Sequence, residues 1–64
     1  MKITELENAK GLMVTVGMDD WAGGIRALIK RAITEGITPS AISFMNMDEA
    51  TEEPSVSIVL WGDY

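Results

Sequence analysis

A single stretch of this chain, residues 20–35, has the length and periodicity of a stable helix. One helix can cover only one side of a small sheet, and that limit governs everything else the chain can do. At 100° per residue, Trp21, Ala22, Ile25, Leu28, Ile29, Ala32 and Ile33 fall within an arc of about 140°. Arg26, Lys30, Arg31 and Thr34 fall opposite. Asp19 and Asp20 supply an N-cap and first-turn acids that suit the positive end of the helix. Gly36 ends it, and Pro39 prevents its resumption.

Short alternating segments flank the helix. In residues 11–17, Leu12, Val14 and Val16 point one way and Met13 and Thr15 the other. Residues 41–47 set Ile42 and Phe44 against Ser43 and Met45, and residues 55–61 set Val56, Ile58 and Leu60 against Ser57, Val59 and Trp61. Residues 48–54 form a charged connector, longer than a tight hairpin needs. A right-handed crossover makes the first two strands parallel, and the third returns antiparallel between them, giving the spatial order 1-3-2. The class is therefore α+β: a two-layer βαββ unit, or split βαβ, in one domain spanning residues 1–64. Ahead of it, Thr4 and Glu7 have the spacing of a capping box and Ile3 and Leu6 that of a helix face. They predict a short leading helix, with a short edge strand as the alternative.

Composition narrows the function classes. With 64 residues, no cysteine and no histidine, the chain has no disulfide framework, no common zinc site and no His-dependent triad. A 47% hydrophobic content excludes a disordered acidic tail. No signal-peptide pattern and no apolar run near 20 residues points to a cytoplasmic chain without a membrane partner. Domains this small usually need a staple, and with disulfides and zinc removed a partner subunit remains, so a homodimer is expected.

The aliphatic faces of the strands are the natural seat for the helix. The opposite face would carry Met13, Thr15, Ser43, Met45, Val59 and Trp61, too apolar to be left in water. Burial by another chain is expected there; the competing arrangement folds the N-terminal segment across it through Ile3 and Leu6. Residues 11–17 and 41–47, the expected edges, carry no charge or proline to blunt them. All five basic residues lie in the first half, whereas residues 32–64 hold no Lys or Arg. The topology gathers Asp19, Asp20, Asp48, Glu49, Glu52 and Glu53 at one pole. With a net charge of -5, that pole attracts a basic protein surface, repels nucleic acid and loosely imitates its phosphates.

The acids of residues 48–53 lack the spacing of a calcium loop, so no metal is expected. Residues 17–24 sit at a strand-to-helix turn but match neither a dinucleotide fingerprint nor a Walker A loop. No nucleophile and base stand at an identifying spacing, so no enzyme activity and no cofactor are expected. Gly23, beside Arg26, Lys30 and Arg31, could let a small anionic ligand approach the outer helix face.

Size, acidity and layout resemble, by class and through no motif, small phage-encoded inhibitors of host or defence complexes. The resemblance implies a stoichiometric binder occupying a functional surface of a larger protein. Met13, Met45, Val59 and Trp61 would then supply apolar contact, and the six carboxylates would steer it. The alternatives are a homo-oligomeric binder of a small anionic, nucleotide-like ligand at Gly23, Arg26, Lys30 and Arg31, and a non-catalytic accessory subunit.

Overall fold

The computed structural model describes residues 2–48 and 53–63. Strands β1 (Ile3–Glu5) and β2 (Gly11–Gly17) lead through a 3-10 turn, Met18–Asp20, into helix α1 (Trp21–Glu35). Strands β3 (Thr38–Asp48) and β4 (Ser55–Asp63) follow. The sheet order is β1-β2-β4-β3, with every neighbouring pair antiparallel. The α+β class and the single helix agree with the sequence, and β2, β4 and β3 lie in the 1-3-2 order expected of them.

The sheet has four strands rather than three. Of the two readings of the N-terminal segment, the short edge strand holds and the helix does not: residues 3–5 pair with β2 in the register Ile3↔Val14, Thr4↔Met13 and Glu5↔Leu12. The physical reason is local. A one-turn helix carries the full nucleation cost with few hydrogen bonds in return, whereas pairing satisfies the open backbone of β2. The Leu6 N–H donates to the Gly11 carbonyl at 3.1 Å to close the connection, and Ile3 packs against the core. Strand β2 is consequently interior, not an edge. The N-terminal strand extends the sheet, with Leu6 reaching Gly11, and among the described residues no second helix or strand lies over the face opposite α1.

The core lies between α1 and the centre of the sheet. Leu12, Val14 and Val16 of β2 and Val56, Ile58 and Leu60 of β4 meet Leu28 and Ala32 of α1, with Ile37 closing one end. The helix residues actually buried are Gly24, Leu28 and Ala32. They lie to one side of the apolar arc, so α1 is rolled toward Gly24 and packs mainly on β2 and β4. A Cβ on Gly24 would stand 3.0 Å from Ile58 Cδ1 and 3.2 Å from Val16 Cγ2, so the missing side chain permits this close approach. At the other end Gly36 takes the left-handed conformation, φ 73°, and its N–H reaches back to the last turn of the helix. Asp20 occupies the N-cap, but its side chain makes no capping hydrogen bond, and Asp19 and Asp20 lie in the preceding 3-10 turn, so the first turn of α1 holds no acid.

Candidate partner-binding surface

The face opposite the helix is organised in cross-strand rows. Strand registers align Thr4, Met13, Val59 and Ser43 in one row and Thr15, Ser57 and Met45 in the next. A third row aligns Gly11, Trp61 and Ala41. The Trp61 indole Nε1–H donates to Ser43 Oγ at 3.0 Å, which lays the ring along the sheet. Thr15 Oγ1 and Ser57 Oγ are hydrogen-bonded at 2.9 Å. Between them Val59 is only 2% exposed. As a contact residue Val59 must therefore be corrected: its neighbours bury it within the chain's own surface. Met13 and Trp61 are half-buried and Met45 is exposed, so these three remain available to a second molecule.

At one end of this face lies the acidic pole. The Met18 N–H donates to the Pro54 carbonyl at 2.9 Å, tying the turn after β2 to the segment before β4. A depression of about 490 Å³ there is lined by Gly17, Met18, Asp19, Glu53 and Pro54. Asp19 and Glu53 are thus brought together as the topology demands, and Asp20 is exposed in the same turn. Asp48 is described as a backbone position opposite Ser55, and Glu49 and Glu52 lie outside the described residues.

The basic cluster lies on the outer face of α1. Ala27, Lys30, Arg31 and Thr34 line a shallow, open hollow of about 270 Å³. Arg31 is already engaged by Glu35, Nε to Oε2 at 2.7 Å, and Arg26 is exposed. Gly23 sits beneath the Asp20 carboxylate, where an added Cβ would stand 2.6 Å from Oδ1. An anion approaching Gly23 would meet that negative charge. Among the described residues no group of three metal-ligating side chains forms, and no helix is long and apolar enough to cross a membrane.

A second apolar surface lies on the helix side of the sheet, along β3. Ile42 and Phe44 point to the helix side of the sheet, as alternation requires, yet remain exposed because α1 is rolled away from β3. Trp21 meets Phe44 edge-to-face at a centroid distance of 6.3 Å and an interplanar angle of 74°. With Met18 and Val56 they line an almost wholly apolar concavity of about 330 Å³. Ile29 and Ile33 continue the exposed strip along the helix. The sequence shows the apolar arc, but which part of it stays exposed is set by the roll of α1 toward Gly24, for which hydropathy gives no signal.

Comparison with protein-family models, with curated proteins and with solved structures finds no match to this chain.

Proposed function

We propose that the chain is a small acidic protein-binding module that acts stoichiometrically, as inhibitors of the phage type do, by occupying a functional surface on a larger protein. The observation that supports it is the open side of the sheet: one helix covers the other side, and the N-terminal strand lies beside β2 instead of over it. That open side combines flat aromatic and thioether surface, Trp61 and Met13, with the hydroxyls of Thr4, Thr15 and Ser43. Such a mixture of adaptable apolar contact and hydrogen-bonding groups suits a protein surface better than a small ligand. The partner's matching surface is basic, because Asp19, Asp20 and Glu53 crowd the adjoining end and the chain carries a net charge of -5. No catalysis by the chain itself is invoked.

The test begins with affinity capture and is decided with the purified partner. Calorimetry should give a fixed stoichiometry, with affinity falling as salt rises. Met13→Lys should weaken binding by about 30-fold, the scale of a lost hot-spot side chain. Joint reversal of Asp19 and Glu53 to Lys should slow association and flatten the salt dependence. Binding indifferent to both changes would refute the proposal.

A further inference from the structure

The two edges of the sheet are built in opposite ways. Strand β1 has three residues, includes Glu5, and is flanked by Lys2 and Glu7, so it is short and charged. Strand β3 has eleven residues and no charge from Thr38 through Met47. Its register against β4 shifts between Pro39 and Ala41 and again between Met45 and Asp48. These irregularities bracket a regular stretch, residues 41–45, that pairs with β4 on one side only. In that stretch Ile42 and Phe44 on the helix side and Met45 on the other are all exposed. Apolar side chains on both faces are the pattern of an interior strand, yet here they stand on an edge.

We infer that a second copy of this chain pairs with β3, edge to edge and antiparallel, to form a continuous eight-stranded sheet. A two-fold axis at Ser43 sets Phe44 opposite Ile42 of the second copy and Ala41 opposite its Met45, so the stretch is self-complementary. Both helices then lie on the same side of the sheet. Trp21 and Ile29 of each copy lean over a shared floor made of Ile42 and Phe44 from both.

Charge and area favour a second copy as the occupant. Residues 41–45 bring no like charges together, and antiparallel pairing sends the two acidic poles to opposite ends of the assembly. Among the described residues the exposed large apolar side chains are Trp21, Ile29, Ile33, Ile42, Phe44 and Met45, each between 37% and 72% accessible. With on the order of 200 Å² for a large side chain, they present roughly 600 Å² per chain before any backbone is counted. A standard stable interface takes about 800 Å² per partner. This inference does not depend on the partner proposed for the open face.

Light scattering after size exclusion, on the full chain between about 1 and 100 μM, decides the matter. The expected mass is twice the 7.0 kDa of the single chain. Phe44→Lys and Ile42→Lys should each give a folded single chain by circular dichroism, whereas Met13→Lys on the open face should stay dimeric. A wild-type protein that is monomeric throughout overturns the inference. So does a dimer that survives both β3 substitutions, or one lost only in Met13→Lys, which would locate the contact on the open face. Should a lysine variant fail to fold, hydrogen exchange on the wild type still decides: amides of residues 41–45 should become more protected as concentration rises. Protection that does not change, or protection gained only when a foreign protein is added, refutes self-pairing.

Discussion

Adjacent glycines in one helix turn should respond in opposite directions to the same substitution. Replacing either by alanine gains about 0.5–1 kcal/mol from reduced backbone freedom in the unfolded chain and better helix propensity. At Gly23 the nearest atoms are those of the Asp20 carboxylate, on an exposed side chain with no capping bond to lose, and it can rotate aside. At Gly24 the new methyl meets Ile58 Cδ1 at 3.0 Å and the two Val16 methyls at 3.2 and 3.3 Å. Those groups are held by the core, and forcing them apart costs about 1–3 kcal/mol. Gly23→Ala should therefore stabilise the fold and Gly24→Ala should destabilise it, with a gap of about 2 kcal/mol between them. For a domain of this size that gap is about 10 °C in midpoint. Thermal unfolding followed by circular dichroism, with both variants at one protein concentration, measures it. Equal midpoints, or Gly24→Ala the more stable, would show that the helix does not rest on β2 and β4 through this position.

Other substitutions probe separate layers. Leu28→Ala removes a fully buried side chain at the centre of the helix–sheet contact and should cost about 2–5 kcal/mol, read from the urea midpoint. Trp61→Phe keeps most of the ring but loses the bond to Ser43, costing about 1 kcal/mol. Ser43→Ala should cost a similar amount, and the double variant should show no additive loss. Arg31→Ala breaks an exposed ion pair and should change stability by less than about 0.5 kcal/mol. A larger loss there would reveal packing by the arginine stem.

Much of the fold is legible from strand alternation and the helix signals. Leu12, Val14, Val16, Val56, Ile58 and Leu60 reach the core because a period of two leaves them no other face. The first strand was harder to see, since Ile3 and Leu6 at helical spacing compete with pairing that depends on a distant strand. Alternation puts Phe44 and Ile42 on the helix side but does not show that α1 leaves them exposed. Alternation tells which way a side chain points, and only the roll of the helix decides whether anything lies above it. That roll follows from Gly24, a residue whose absence of bulk carries no hydropathy signal. The same reasoning explains Val59: alternation gives its direction, but its burial comes from a position between Met13 and Ser43 on an interior strand, which only the sheet order reveals. The acidic pole follows from topology alone, because parallel β2 and β3 must deliver their following segments to the same end.

Stability itself should carry the mark of self-association. A chain of 64 residues with one helix over the centre of its sheet leaves its longest edge strand and the helix flank beside it in water. If those surfaces close on a second copy, unfolding also separates two chains, and mass action raises the midpoint with concentration. Each tenfold increase contributes about 1.4 kcal/mol per dimer, or half that per chain. At about 4–8 °C per kcal/mol for a domain of this size, the midpoint should climb by about 3–5 °C per decade. Across 1 to 100 μM the rise would be about 6–10 °C, well resolved by scanning calorimetry or circular dichroism. Phe44→Lys should abolish the slope while Gly23→Ala shifts the whole line upward in parallel, because one acts on the contact between chains and the other within each chain. A wild-type midpoint independent of concentration would mean that the helix and four strands suffice alone, and that the exposed Trp21–Phe44 strip is tolerated without a second copy.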